Sequence, residues 1–446
     1  MVHKAKILIG NSNRDEVEDL LKILAENDYK TSFAATHDEF DEIVKSGEPD
    51  AVLLGQFPDV DQAEIANSVI DFHAPRPIPL MLFNCEKSQE LRQKAIASGV
   101  QDLIEDIPQG DFLIRRMTLL TRLATMQNEL DRRVETAKEF NIDISPWSYD
   151  RFDGRSGRVL IISQDNTDNT DLKACLESFD LELDFETDYY RAADRLDAER
   201  FDAAVVIPDS ENTKEQAMYL CSHLRNNPRQ FNMPIIIMSD EGILGDINEV
   251  YRAGATIVVE GSDDLHLIGT HCKMLVNAQR AKWSMRDPMM QTQTDETCDN
   301  LHGVYSVDFF NRHLDRVVKS FQKSNGQLSL AIFAIRNAPD VKQRFGEEAC
   351  EMLMQQMADW IQGLLRTEDM TARIGEYEFA VILPSTPLDK ASMVANRITG
   401  ILHHSEFRLT DEIMEAINVW VDLGVTSLND SKDASEFLTS AKKAIY

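Results

Sequence analysis

The stretch RTEDMTARIGEYEFAVILP, residues 366–384, decides the architecture of the last third of the chain. Two runs rich in β-branched and aromatic residues flank the polar segment GEYE, a pattern typical of two antiparallel strands joined by a tight turn. We therefore predict a β-hairpin here. Around it the sequence predicts an α+β domain with an antiparallel sheet. Its other elements are a helix near 306–324, a strand at LSLAIFAI, helices up to Leu365, a helix from Pro387 to His403 and a strand at AINVWVDLGVTSL.

Two earlier segments share a different plan. The first begins with KAKILIGNSNRDEVEDLLKILAENDYKTSFAAT and the second with GRVLIISQDNTDNTDLKACLESFDLELDFET. Each continues with three more short buried-strand patterns, spaced so that a helix fits between them. Five alternating βα units are typical of a doubly wound parallel sheet. Each segment closes with a long polar helix, and linkers are predicted at NIDISPWSYDRFDGRSGR and DPMMQTQTDET. The predicted domains are 1–140, 155–284 and 295–446.

Composition excludes several classes of protein. Lys and Arg total 46 against 76 Asp and Glu, a formal charge of −30. This excess repels nucleic acid and anionic membranes, so neither is expected as a partner. The six cysteines form no CxxC pair, which argues against a metal site or a disulfide framework and favours a cytoplasmic protein. No apolar run approaches the roughly 20 residues that span a bilayer, and we expect no membrane insertion.

The last domain resembles a GGDEF domain. CDNLHGVYSVDFF matches the opening motif of that family, RFGEEACEML matches its phosphate-side loop, and RIGEYEFAVILP matches its signature hairpin. With two receiver-like (βα)5 segments before it, the chain resembles the receiver–receiver–GGDEF architecture of PleD-type diguanylate cyclases. It is most similar to degenerate members that keep this architecture without the enzyme. The motif residues retained are Asp299, Leu301, Gly303, Tyr305, Phe345, Gly346, Arg373, Gly375, Glu378 and Phe379.

The positions to which the resemblance assigns catalysis are altered. A diguanylate cyclase holds two Mg²⁺ ions on carboxylates, but the first metal aspartate falls on Ala334 and the second metal carboxylate on Tyr377. Glu376 replaces the second glycine of the hairpin tip. The guanine-reading asparagine and aspartate are Lys342 and Glu351. We therefore expect no catalytic residues and no metal, and the next acidic position of the metal strand is Arg336.

The receiver-like segments have also lost their phosphorylation chemistry. The phosphoacceptor aspartate falls on Gly55 in the first segment and on Ile207 in the second. A register slip would leave Asp165 and Asp209 as substitutes. We expect folding and dimerising modules, and the resemblance implies a homodimer formed through their fourth and fifth elements; binding another protein through the same faces is the alternative. The other altered positions are Asn11, Ser12, Asn84 and Asp106 in the first segment, and Ser163, Gln164 and Gly261 in the second, where Ser239 keeps a hydroxyl.

A product-binding site of the family is retained. Many GGDEF domains carry an inhibitory RxxD motif five residues before the signature, and Arg366 and Asp369 stand there, with Arg397 matching a second arginine of that site. Arginine forks can bond guanine O6 and N7, and a carboxylate can accept from guanine N1–H and the amino group. The predicted ligand is cyclic di-GMP, with no cofactor. RxxD alone is weak, because it also occurs at Arg191/Asp194, Arg312/Asp315 and Arg408/Asp411.

These observations favour a catalytically inactive cyclic di-GMP effector that recruits protein partners. The resemblance implies an adaptor for regulated proteolysis of a cell-cycle regulator, located at the cell pole. Three alternatives stay open at this point. They are a scaffold that binds no nucleotide, an active diguanylate cyclase with an unusual metal site, and a GTP sensor that uses Lys342 and Arg336 to bind phosphate.

Overall fold

The chain divides into two compact units in a computed structural model. Unit 1 comprises Met1–Lys4, Thr125–Pro146 and Met285–Tyr446, and unit 2 comprises Ala5–Ala124 and Trp147–Ser284. The structure describes residues 3–58, 60–73, 78–108, 110–144, 156–164, 170–227, 230, 232–261, 264–300, 303–409, 416–428 and 431–445. Three residues discussed above, Asp165, Leu301 and Asp411, lie outside these ranges.

The first module of unit 2 is a parallel five-stranded sheet in the order β2-β1-β3-β4-β5. Its inner strands are short apolar runs that are buried throughout, as expected for strands covered by helices on both faces. The order is that of a doubly wound sheet. The elements are β1 (Lys6–Gly10), α1 (Glu18–Glu26), β2 (Lys30–Ala34), α2 (His37–Lys45), β3 (Ala51–Leu54), α3 (Gln62–Phe72), β4 (Leu80–Phe83), α4 (Gln89–Ser98), β5 (Asp102–Ile104) and α5 (Gly110–Lys138).

The second module repeats this plan with the strand order β10-β9-β8-β6-β7, again parallel. The prediction of two parallel α/β sheets is thus confirmed. The elements are β6 (Gly157–Ser163), α6 (Thr170–Ser178), β7 (Leu181–Glu186), α7 (Tyr189–Ala198), β8 (Ala203–Ile207), α8 (Glu211–Asn226), β9 (Ile235–Ser239), α9 (Ile247–Ala253), β10 (Ile257–Glu260) and α10 (Leu265–Gln291).

The two modules of unit 2 pack through their fourth and fifth elements. Phe112 of α5 contacts Tyr251 of α9, with ring centroids 5.6 Å apart. The buried guanidinium of Arg92 on α4 pairs with Asp264, just before α10, at 2.7 Å. Met274 of α10 lies in the core cluster of the first module. These contacts lie within one chain, and homodimerisation through the fourth and fifth elements stays a prediction.

Unit 1 contains the antiparallel sheet β12-β13-β11-β14. The hairpin predicted from residues 366–384 is present as β12 and β13, which pair antiparallel with a register shift between Arg373 and Gly375. The two faces of the sheet carry separate cores, one beneath α12, α13 and α14 and one beneath α11 and α15. The elements are α11 (Val307–Ser324), β11 (Leu328–Ile335), α12 (Ala338–Phe345), α13 (Glu347–Gly363), β12 (Met370–Gly375), β13 (Glu378–Pro384), α14 (Leu388–His403), β14 (Val421–Ser427) and α15 (Ala434–Lys443).

One predicted linker is wrong in its first half. Residues 287–291 continue α10, although Pro288 lies inside that helix. Met285 and Met289, one helical turn apart, are both almost fully buried. Burying two large apolar side chains stabilises by about 1.5–3 kcal/mol each, enough to offset the roughly 3 kcal/mol cost of an internal proline.

Candidate ligand site

The turn between α13 and β12 carries two of the predicted ligand residues. The Asp369 carboxylate accepts a hydrogen bond from the Arg366 backbone N–H at 2.9 Å, and the Asp369 N–H donates to the Arg366 carbonyl at 3.1 Å. Asp369 is 9% exposed, whereas the Arg366 side chain is exposed. The turn therefore holds an anion beneath an exposed arginine.

Arg397 on α14 reaches the same corner of unit 1. Its Nη2 donates to the Leu364 carbonyl at 3.3 Å, two residues before Arg366, and its side chain is exposed. Packing of α13 beside α14 brings these segments together. The structure thus brings Arg366, Asp369 and Arg397 to the same corner of unit 1, where both arginines are exposed and Asp369 is buried.

The position predicted as the first metal aspartate lies in the middle strand of the sheet. Ala334 on β11 stands opposite Glu378 on β13 and Asp422 on β14. Both neighbouring carboxylates have cationic partners. The Glu378 carboxylate accepts from Lys442 Nζ at 2.9 Å, and Asp422 lies 3.6 Å from the guanidinium of Arg336. Lys442 and Arg336 thus pair with the two carboxylates that flank Ala334, the position predicted for the metal aspartate.

The hairpin tip is tied down by a second charge cluster. Lys342 Nζ on α12 donates to Glu376 Oε1 at 2.8 Å and to Glu347 Oε1 at 2.9 Å. The Tyr377 hydroxyl also donates to Glu376, at 2.7 Å. Lys342 and Tyr377 hold the pKa of Glu376 below its usual range, and the bond to Glu376 raises the pKa of Tyr377 to about 12. The residues that replace the family's residues at and near the hairpin tip, Lys342, Glu376 and Tyr377, therefore bond to one another.

Arg373 makes hydrogen bonds to both retained and altered motif residues of the domain. Its guanidinium makes a two-pronged contact with the Glu351 carboxylate, at 3.0 and 3.1 Å. It also donates to Asp299 at 3.1 Å and to the Glu376 carbonyl at 2.8 Å. Glu351, predicted as a degenerate guanine-reading residue, is therefore one partner in an ion-pair network.

The residues present do not fit the two Mg²⁺ ions that the family implies. Ala334 and Tyr377 supply no carboxylate, and Arg336 brings a positive charge to the same strand. Magnesium needs hard oxygen ligands that are not already neutralised by a protein cation. Within the described residues no group of three or more His, Cys, Asp and Glu side chains is arranged to hold a metal ion. We therefore derive no chemical step through a metal.

In the first module, neighbouring side chains leave no room for a side chain at Gly55, the predicted phosphoacceptor position. A Cβ on Gly55 would lie 2.4 Å from Asn11 Oδ1 and 2.7 Å from the Phe83 ring. Asn11 is fully buried, and its Oδ1 accepts from the Gln56 backbone N–H at 3.0 Å. Any side chain at Gly55, aspartate included, would displace this arrangement.

In the second module, the corresponding position is Ile207, the last residue of β8, which pairs with Ser163 on β6. Asp209, considered above as a substitute acceptor, bonds the Thr213 hydroxyl through Oδ1 at 3.0 Å, and its N–H donates to that same hydroxyl. These contacts belong to the capped start of α8. Asp209 therefore has a structural role in the described geometry.

An open cleft lies at the carboxyl edge of the first sheet of unit 2, the edge where ligands of doubly wound proteins usually bind. Ser12, Gln56 and Gln62 line it, together with Lys94 and several acids. Lys94 is already paired with Glu90 at 2.9 Å and with Asp61 at 3.6 Å. The remaining negative charge disfavours a phosphodiester, so we do not assign cyclic di-GMP to this cleft.

Comparison with known proteins identifies the class of the last domain. Residues 296–446 match the family described as diguanylate cyclase, GGDEF domain. The structure there has the mixed sheet-and-helix fold described above.

Most of the chain is similar to a particular protein. It is 22% identical to the response regulator PleD of Caulobacter vibrioides over 406 residues, which cover 89% of this chain and 87% of PleD. Two solved GGDEF domains are also similar. That of YfiN from Pseudomonas aeruginosa is 24% identical and covers 33% of this chain and 85% of its own, with a TM-score of 0.31. That of DgcB from Caulobacter crescentus, in complex with c-di-GMP, is 18% identical and covers 34% and 86%, with a TM-score of 0.33.

No helix of the described residues combines the length and the apolar character that crossing a membrane requires.

Sequence reasoning missed one contributor to the candidate site. Arg133, on α5, donates to the backbone carbonyls of Glu368 and Asp369. The contact spans 235 and 236 residues, and no motif in the sequence indicates it.

Proposed function

We propose that this chain is a catalytically inactive cyclic di-GMP effector that binds the dinucleotide at Arg366, Asp369 and Arg397. The observation that carries the proposal is the corner of unit 1 where two exposed arginines flank a capped carboxylate. The arginine forks suit guanine O6 and N7 or a phosphodiester, and the carboxylate suits guanine N1–H and the amino group. A chain with a net charge of −30 needs such a local cationic patch to attract an anionic ligand.

Loss of catalysis is the second part of the proposal. Phosphoryl transfer in this family depends on metal ions that neutralise the developing negative charge. Ala334 and Tyr377 stand at the positions of the two metal carboxylates. At the hairpin tip, the ammonium of Lys342 pairs with the carboxylate of Glu376. Lys342 also contacts Glu347, and Arg336 lies beside Asp422, so both cations that a GTP sensor would use already face protein carboxylates.

The third part concerns output. The similarity to response regulator PleD supports a role in signal transduction. By its resemblance to the degenerate members of this family, we further propose that ligand binding recruits protein partners, and that the chain acts as an adaptor for regulated proteolysis of a cell-cycle regulator at the cell pole. Occupancy would shift the population of conformations that present the partner surface.

Calorimetric titration with cyclic di-GMP tests the binding site. Wild type should bind, and Arg366→Ala should weaken binding by about 10- to 100-fold, because a hydrogen bond to a charged group contributes about 1.5–3 kcal/mol. The matched control is Arg312→Ala, which alters the arginine of another RxxD motif. Arg312 lies on the surface of α11 and pairs with Glu139. Binding should then match wild type. No binding to wild type, or equal binding by Arg366→Ala, would reject the site and favour a nucleotide-independent scaffold.

Incubation with GTP and Mg²⁺ tests the loss of catalysis. We expect no cyclic di-GMP above the background of a protein-free sample, measured by chromatography. Product formation that depends on the protein would instead support an active diguanylate cyclase with an unusual metal site.

A further inference from the structure

A buried charge cluster joins the second half of α5 to the GGDEF domain inside unit 1. Glu129 and His313 have no exposed surface, and Arg133 is 4% exposed. Glu129 Oε1 accepts from Arg133 Nε at 2.8 Å and lies 2.9 Å from His313 Nε2. Arg132 donates to the other carboxylate oxygen at 3.1 Å. The cluster is therefore a charged centre removed from water, where each partner is held by several directional bonds.

The Arg133 guanidinium also contacts the candidate ligand turn. Its Nη2 donates to the Glu368 carbonyl at 2.8 Å and to the Asp369 carbonyl at 3.0 Å. Both carbonyls belong to the segment whose N–H and carboxylate close the Arg366–Asp369 turn. One guanidinium thus bridges an anion on α5 and the backbone of the turn.

Only an arginine can make this bridge. Its planar fork presents donors in two directions at once, whereas a lysine ammonium at the same place would be a single compact charge on a flexible stem. The bridge holds the backbone of Glu368 and Asp369, and with it the turn that the Asp369 carboxylate closes. When binding depends on the exact placement of a group, displacing that group by about 1 Å can lose much of the binding free energy.

We propose that Arg133 is a positioning residue for the dinucleotide site and that it couples occupancy of the 366–369 turn to the second half of α5. This inference rests on the proposed function, because it names the regulation of the same site. Coupling of this kind is reciprocal: if the order of α5 at 125–138 favours ligand binding, then ligand binding must favour the order of that helix segment. The first half of the same helix, Gly110–Ala124, belongs to unit 2, so the coupled segment is continuous with it.

Two neighbouring arginines allow a matched experiment. Arg133→Met removes the contacts with the turn and one partner of Glu129, and Arg132→Met removes a Glu129 partner but no contact with the turn. In calorimetric titration with cyclic di-GMP, we expect Arg133→Met to weaken binding at least about tenfold, and Arg132→Met to stay within about twofold of wild type. Far-UV circular dichroism establishes that each variant is folded, and Arg133→Lys, which keeps the charge, should also bind more weakly than wild type.

Hydrogen exchange tests the coupling directly, with Arg366→Ala as the control. Saturating cyclic di-GMP should slow exchange in peptides from 125–138 as well as from 364–372, and Arg366→Ala should show neither effect. Protection confined to 364–372, or wild-type affinity in Arg133→Met beside weak binding in Arg366→Ala, would overturn the positioning role while leaving the proposed function intact. Absence of binding to wild type would instead remove the proposed function itself.

Discussion

Replacing Glu129 with glutamine tests how strongly the buried charge cluster stabilises unit 1. Glu129 accepts from Arg133 Nε at 2.8 Å, from His313 Nε2 at 2.9 Å and from Arg132 at 3.1 and 3.2 Å. Burial works against its charge, but the hydrogen bond from His313 and the contacts with the two arginines outweigh burial and hold its pKa well below the usual range. Glutamine has the same size, yet it offers one acceptor oxygen in place of two and turns an N–H₂ toward groups that are themselves donors.

The expected cost follows from these contacts. Removing one partner of a buried ion pair costs about 3–5 kcal/mol, because the remaining charge stays out of water. The side chain of Arg132 is 11% exposed and can regain some hydration, so we place Glu129→Gln at the lower end, about 3 kcal/mol. For a unit of this size, the midpoint of thermal unfolding should fall by roughly 6–12 °C.

Differential scanning calorimetry and urea unfolding of the full chain measure this change. The matched control is Glu135→Gln on the same helix, whose side chain is 57% exposed and pairs with Arg316 at 2.9 Å. A surface pair of this kind contributes little, so the control should stay within about 0.5 kcal/mol of wild type. A Glu129→Gln protein as stable as the control would refute the argument that this cluster is a buried and mutually dependent set of charges.

Three further predictions concern acid stability, packing and thiol reactivity. Burial holds the pKa of His313 below its ordinary 6.5, so the unfolded chain binds an extra proton below about pH 6.5 and unit 1 loses stability as the pH falls. His313→Gln should flatten the dependence of the unfolding midpoint between about pH 7 and pH 5, whereas an unchanged slope would contradict this assignment. A Cβ on Gly424 would meet the Ala441 carbonyl oxygen at 2.4 Å, so Gly424→Ala should lose about 1–3 kcal/mol in urea unfolding. Gly400→Ala, where a Cβ meets nothing within 4 Å, should instead gain up to about 1 kcal/mol, and equal effects at the two sites would be evidence against this packing. Burial raises the pKa of Cys85 and of Cys272 to about 12, so native protein at about pH 8 should resist iodoacetamide at both thiols, as read by peptide mass spectrometry. Labelling as fast as in urea-unfolded protein would show that these thiols are not buried.

The helices and strands that frame the candidate site could be predicted because local pattern encodes them. Alternation in MTARIGEYEFAVILP predicted the hairpin that the structure forms as β12 and β13. The five apolar runs of each N-terminal segment predicted the parallel sheets. Where pattern and packing conflicted, packing decided: the polar run after Met285 reads as a linker, but the burial of Met285 and Met289 keeps it helical.

The candidate ligand residues were predicted from motif spacing. The structure adds the contacts that bring them near one another. Arg366 and Asp369 are close along the chain, so a single turn brings them into contact. Arg397 is distant in sequence and approaches only because α14 packs beside α13. Motif spacing could name these residues, but it contained no information on the hydrogen bonds that orient them.

The amino-acid sequence by itself determined the hairpin, the two parallel sheets, the absence of metal carboxylates at Ala334 and Tyr377, and the retained RxxD. These are properties of residue type and short-range periodicity, which burial and backbone hydrogen bonding impose locally. Only the tertiary structure decided that Lys342 neutralises Glu376, and that Arg133 reaches across more than two hundred residues to the ligand turn. Such charge pairs depend on which helices pack together, because a buried ion is stable only where the fold brings its counter-ion and hydrogen-bond partners within reach.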